Sequence, residues 1–169
     1  MAARERAGAK SGAKPVLLKI APDLTLAELD DIVGIARRRG IDGMIVSNTT
    51  LARPKRLKEF ARSGETGGLS GKPLFALSTR MMAETFVRAE GKFPLIGVGG
   101  IDSGGTALSK IRAGATLIQV YSGLIYKGLG LVESIKADLV STLEATSRTH
   151  LSEIVGADAA AITAEEWPV

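Results

Sequence analysis

Four short apolar runs, none alternating with polar residues in the way of a half-exposed strand, constrain this chain more than any other feature. They are Val16-Leu17-Leu18-Lys19-Ile20, Met44-Ile45-Val46, Leu95-Ile96-Gly97-Val98 and Leu117-Ile118-Gln119-Val120. Strands of this kind are covered on both faces, which is the habit of parallel sheets, and parallel neighbours need a crossover helix between them. The helices are legible too. Thr25-Leu26-Ala27-Glu28 reads as a capping box, Leu29, Ile32, Val33 and Ala36 follow at helical spacing, and Gly40 stops the run. Pro73 opens a helix carrying Leu77, Met81 and Phe86 and closed by Gly91. Asp102 or Ser103 caps a third with Ala107 and Ile111, ending at Gly114, and Leu131, Ile135 and Leu139 line a last long helix.

Four βα units in a row fit either an open doubly wound sheet or a (β/α) barrel. No glycine-rich dinucleotide loop follows the first strand, which weighs against the former. Polar residues instead gather at the carboxyl ends of all four strands, where barrels keep their chemistry. The expected fold is therefore a TIM-type (β/α)8 barrel, of which this chain supplies the last four units. A complete barrel needs eight units and about 250 residues, against 169 here. The expected division is a tail or helix end over 1–13, the half-barrel over 14–145 and a C-terminal tail over 146–169, Ala-rich with a short helix and a frayed end.

Composition narrows the chemistry. With no cysteine and one histidine, His150, no thiolate nucleophile, disulfide framework or His-rich metal centre is expected, and no metal site is assigned. No apolar run approaches transmembrane length and no signal peptide is evident, so the chain as given reads as soluble. The net charge of +4 concentrates at Arg37-Arg38-Arg39 and between Arg53 and Arg62, and neither cluster carries the repeated aromatic residues that interleave a nucleic-acid surface. Solvated basic faces are the expectation, and no nucleic-acid partner.

At the strand ends, Lys19 sits inside an apolar run, where a lysine calls for an anion or a carboxylate unless it snorkels to solvent. Ser47-Asn48-Thr49-Thr50 presents an amide and hydroxyls, either as a polar turn or as readers of a planar heterocycle. Glu65 to Gly71 is a glycine-rich loop before a helix start. Gly97-Val98-Gly99-Gly100-Ile101 has the form of a phosphate cradle, a glycine pair leading to a helix N-terminus. Tyr121-Ser122-Gly123 ends the fourth strand in a similar hydroxyl-bearing turn. Barrel phosphate sites use the loops after strands seven and eight, which ranks these four strands as the last of eight.

In order, Lys19 to Leu24, Ser47 to Thr50, Thr66 to Leu74, Gly97 to Ile101 and Ile118 to Ser122 resemble the dihydroorotate dehydrogenase family. The Gly68-Leu69-Ser70-Gly71-Lys72-Pro73 segment is similar to its quinone-dependent, membrane-associated class. The resemblance implies an FMN-containing barrel that oxidises dihydroorotate to orotate in pyrimidine synthesis and passes electrons to a quinone. It implies that Lys19 lies beside the flavin N1 and C2 carbonyl, that Ser47 contacts the flavin where many relatives have threonine, and that Asn48 and Thr49 hydrogen-bond the pyrimidine. It also implies flavin contacts for Gly71, Gly100, Tyr121 and Ser122, the last three around the phosphate. The complete enzyme is expected at the cytoplasmic side of the membrane, as a peripheral protein.

The family's serine base lies after the fourth strand, in a half with no counterpart here, as do the N-terminal helices of the quinone tunnel. No catalytic residue is therefore assigned, and the chain alone is expected to be inactive. It reads as the C-terminal part of a longer enzyme, whether by a split gene, a truncation or an incomplete gene model. Its open edges favour self-association or pairing with the missing half. Two other readings stand beside this one. The first is a fumarate- or NAD-linked dihydroorotate enzyme or a dihydropyrimidine dehydrogenase domain; the second is a non-catalytic phosphate-binding or assembly fragment.

Overall fold

A computed structural model describes residues 14–54, 57 and 64–168. The expected N-terminal tail and most of the basic stretch from Arg53 to Arg62 lie outside the described residues. The strands are β1 (Leu17–Ile20), β2 (Gly43–Val46), β3 (Leu95–Val98) and β4 (Leu117–Gln119). They form one parallel sheet in the order β1-β2-β3-β4, in register through Lys19↔Ile45, Ile45↔Ile96 and Ile96↔Leu117. Strands laid down in sequence order by right-handed crossovers put every helix on the same face, so the sheet curls away from them. The result is an open arc of four βα units, as the non-alternating runs predict.

Helix α1 (Leu26–Arg39) begins at Thr25, whose hydroxyl accepts from Glu28 N at 3.3 Å while the Glu28 carboxylate accepts from Thr25 N at 2.8 Å. It ends at Gly40 with φ 60°. Lys72–Leu74 form a 3-10 turn that leads into α2 (Phe75–Ala89), so Pro73 starts a tighter turn ahead of the α-helix. Glu90 takes the left-handed position at the end of α2 and Gly91 follows it in the same region. Helix α3 (Gly104–Arg112) is capped by Ser103, whose hydroxyl accepts from Thr106 N at 3.2 Å. A short α4 (Ser122–Lys127), not foreseen in the sequence, precedes the expected long helix α5 (Gly130–Ala145).

Two adjoining cores hold the arc together. Ile20, Met44, Val46 and Leu95 pack from the sheet against Leu29 and Val33 of α1 and Met81 and Met82 of α2. Ile101, Ala107 and Ile111 pack against Leu131, Ile135 and Leu139 of α5. The sheet edges are less covered. Leu17 is 44% exposed on β1 and Leu117 is 60% exposed on β4, where a closed barrel has neighbouring strands.

The segment after Ala145 contributes to this packing. Helix α6 (Ala159–Ala164) lies against α2, and Ile154 and Ala159 are buried. Gly156, with φ 76°, sits where a Cβ would come within 2.2 Å of the Phe86 ring. Arg112 holds Asp158 through two hydrogen bonds of 2.6 and 2.5 Å, which keeps that carboxyl below the ordinary aspartate range.

Arg80 does most to fasten this segment. It is buried, donates to Glu84 at 2.9 Å, to Glu165 O at 2.7 Å and to Thr163 O at 2.8 Å, and stacks over Trp167 at 5.0 Å. Arg80→Ala removes all four contacts, including those to the carbonyls of Thr163 in α6 and Glu165 just beyond it. The expected cost is about 2–4 kcal/mol, read as a lower urea midpoint. A midpoint equal to that of the parent protein contradicts it.

Candidate functional site

The carboxyl ends of the four strands open on one cleft of about 1250 Å³. Every residue to which the resemblance gives a flavin or pyrimidine contact lines it. Lys19 and Ser47 stand at the ends of β1 and β2, with Asn48 and Thr49 just beyond; Gly71 precedes the 3-10 turn before α2; Gly100, Tyr121 and Ser122 follow β3 and β4. Lys19 is exposed to the cleft, the alternative to a buried, paired lysine, and forms no ion pair among the described residues.

Backbone pairing sets the second strand end. Ser47 is buried, its amide donates to Val98 O at 3.3 Å and its hydroxyl to Asn48 O at 2.9 Å. The Asn48 amide donates to Ile20 O at 2.8 Å, tying β2 to the end of β1 and leaving the Asn48 and Thr49 side chains exposed to the cleft. Thr50, the last of the four polar residues, is buried and structural. It donates to Asp23, which also accepts from Leu51 N at 3.2 Å, and it forms a two-bond antiparallel bridge with Leu69. Arg53 reaches Gly67 O at 2.7 Å and Glu65 O at 3.1 Å. The glycine-rich loop is thereby drawn to the end of β2, although it lies well along the chain.

The opposite wall is built from glycines and hydroxyls. Gly100 has φ 72°, and a Cβ there would lie 2.5 Å from Phe75 Cβ and 2.9 Å from Phe75 N. Only glycine fits both that conformation and that contact. Ser70 and Ser122 meet hydroxyl to hydroxyl at 3.1 Å, joining the loop before α2 to the start of α4. Among the described residues, neither the Gly99 nor the Gly100 amide donates a turn or loop hydrogen bond to the backbone. Free amides on a glycine turn beside a hydroxyl are the donor set that an oxygen-rich anion takes.

Asp102 adds a feature that the sequence reading missed. Expected as a possible cap, it leaves that task to Ser103 and instead meets Lys72 at 2.9 Å and Lys127 at 3.8 Å. Lys127 also donates to Asp102 O at 2.6 Å. Lys72, then Lys127, hold the Asp102 carboxyl below the usual aspartate range against the opposing effect of its partial burial. The 3-10 turn before α2, the loop after β3 and the end of α4 are thus bridged at the cleft rim. The charge pattern of Lys72, Asp102 and Lys127 is visible in the sequence, but their proximity is not.

Elsewhere, Arg37 pairs bidentately with Glu90 at 2.9 and 2.5 Å, so part of the first basic cluster is spent within the fold. No group of three or more potential metal ligands occurs among the described residues. No helix among them is long and apolar enough to cross a membrane.

An arc of four βα units with its cleft at the carboxyl ends of the strands defines the class: a partial TIM-type (β/α) barrel. A family profile described as Dihydroorotate dehydrogenase matches residues 3–143, and the chain belongs to that family. It is 76% identical over 167 residues to a dihydroorotate dehydrogenase (quinone) of Bradyrhizobium sp. (strain BTAi1 / ATCC BAA-1182), covering 99% of this chain and 46% of the relative. A protein of the same name from Rhodopseudomonas palustris (strain HaA2) is 74% identical over the same coverage. Among solved structures, DHODH from Eimeria tenella in complex with ferulenol matches with a TM-score of 0.81 and 39% identity, over 88% of this chain and 40% of that one. The ligand-free form from the same organism matches with a TM-score of 0.80. The chain spans about half the length of the curated relatives it matches.

Proposed function

We propose that this chain supplies the C-terminal half of the FMN and substrate site of a quinone-linked dihydroorotate dehydrogenase, which oxidises dihydroorotate to orotate. The observation that carries the reading is that residues from Lys19 to Ser122, assigned one by one from separate motifs, line a single cleft. The quinone acceptor, in preference to fumarate or NAD, is supported by the names of the relatives. Residues 14–145 carry this half-site, and electrons reach the quinone through the N-terminal part of the complete, peripherally membrane-bound protein.

The cleft suits FMN in kind. Gly99 and Gly100 offer amides, Ser70 and Ser122 hydroxyls, and Tyr121 a phenol beside them, a donor set for a phosphate monoester. FMN, when bound, supplies two-electron redox chemistry, taking a hydride as the substrate also gives up a proton. Lys19 contributes a cation at the opposite wall, which favours negative charge on the reduced ring. Asn48 offers an amide with both donors and acceptors, and Thr49 a hydroxyl, to orient a pyrimidine in its plane. The base that accepts the proton lies in the other half of the barrel. A positioned base contributes roughly 10²- to 10⁴-fold in rate, so turnover by this chain alone is expected to fall by at least that factor.

Reconstitution tests the proposal. The purified chain is mixed with the complementary half of the Bradyrhizobium relative and FMN, and the visible spectrum and solution mass are recorded. Retained flavin in a complex of one half of each, bleached by dihydroorotate, is the expected result. Flavin that passes through with the buffer, although the two halves associate, overturns it.

A further inference from the structure

Lys110 of α3 is a large side chain buried to the point of zero exposure, and among the described residues no carboxylate accompanies it. Its Nζ donates to Ser78 Oγ at 2.6 Å and to Phe75 O at 3.4 Å, and it lies 5.0 Å from the centre of the Phe75 ring. Burial alone drives the amine well below the ordinary lysine range. A methionine would occupy similar space without that cost, so the position invites a reason for an amine.

The reason lies one bond further on. The Ser78 hydroxyl is within 2.8 Å of Leu74 O, 3.2 Å of Phe75 O and 3.2 Å of Gly99 O. It has a single proton for three carbonyls. The hydrogen donated by Lys110 occupies a lone pair of Ser78 Oγ, and so turns the hydroxyl proton toward those carbonyls. Ser78 also lies directly beneath Gly99, since a Cβ on Gly99 would stand 2.6 Å from its Oγ. Phe75, the second acceptor of Lys110, is the residue against which Gly100 packs. The amine therefore touches, through one atom each, the supports of both glycines on the cleft wall.

We propose that Lys110 is a positioning residue for the anion-binding turn: through Ser78 and Phe75 it fixes Gly99 and Gly100, whose amides hold the ligand's phosphate. This rests on the reading of the cleft as an FMN site. Lys110 does not touch the ligand and is not catalytic.

The test compares the parent chain with Lys110→Met, which keeps the volume, and Ser78→Ala, which breaks the same relay while leaving the amine. Two readouts are taken on the full chain. The first is hydrogen exchange of the 99–101 amides without ligand; the second is binding of FMN and of riboflavin, which lacks the phosphate, by fluorescence quenching. In both variants exchange in 99–101 should accelerate, and FMN affinity should fall, by about tenfold each, the size of one hydrogen bond. Riboflavin affinity should hold in both; the thermal midpoint should hold in Lys110→Met and fall in Ser78→Ala, which leaves the buried amine without its main acceptor. If Lys110→Met does not fold, Ser78→Ala decides alone. Unchanged exchange in 99–101, or equal weakening toward FMN and riboflavin, overturns the proposal. A parent chain that binds riboflavin as well as FMN instead overturns the FMN-phosphate reading, and exchange then judges the positioning role by itself.

Discussion

Lys19→Ala in a complete enzyme carrying this half should slow flavin reduction by dihydroorotate by about 10²- to 10³-fold, the usual cost of deleting one preorganised group at a developing charge. Lys19 sits on the penultimate residue of β1, held in register with Ile45 by a parallel ladder, and its side chain reaches the cleft without a described carboxylate to neutralise it. A cation so placed is available to a ligand. Rapid mixing under anaerobic conditions isolates the reductive step, and flavin content is measured in the same preparations. A reductive rate and flavin content equal to those of the parent enzyme would remove Lys19 from the mechanism. Loss of thermal stability without loss of rate would make it a structural strand lysine.

Gly100→Val carries the other large effect. The new side chain meets Phe75 on its Cβ, Cα and N together, and φ 72° is a region that a β-branched residue avoids. Neither partner is the free end of a flexible side chain, so the turn or the start of α2 must move. We expect destabilisation of about 2–4 kcal/mol, compounded from left-handed strain and overpacking. FMN retention should fall much further than for Gly105→Ala, a glycine in α3 whose Cβ would meet nothing closer than Ser103 Oγ at 4.0 Å. Retained flavin in Gly100→Val after gel filtration would place the phosphate elsewhere.

Much of this was legible in the residues themselves, and the limits have physical causes. The strands announce themselves because a parallel strand is apolar throughout, and α1 because Thr25 and Glu28 make a reciprocal cap that needs only local geometry. The cleft residues follow from rank order, since successive parallel strands end on the same side and bring Lys19, Asn48, Gly100 and Ser122 together automatically. Thr50 differs. It looks like its neighbours in sequence, yet it is buried against Asp23 and bridged to Leu69, contacts that only the path of the chain reveals.

Lys110 carries a signal of its own in the sequence. Ala107 and Ile111 mark the buried face of α3, and position 110 falls on that same face, so its lysine had to be either misassigned or buried. Asp102 has no comparable signal, because Lys72 and Lys127 come from a 3-10 turn and a helix end remote in sequence. The segment beyond Ala145 was read as a tail with a short helix because an alanine-rich stretch carries no strong stripe. Its buried contacts depend on Arg80 and Phe86, residues of another helix.

That last contact has a consequence for the order of events in folding. Most packing in this arc joins neighbouring βα units, which can form as soon as each unit exists. Arg80 instead joins residues 83 and 85 positions away, at Thr163 and Glu165. Closing so long a loop is entropically late, and contacts made after the transition state leave the folding rate untouched while holding the native state shut. Loss of Arg80 is therefore expected to show in how fast the protein opens, read from the unfolding arm of a denaturant chevron, and hardly in how fast it forms.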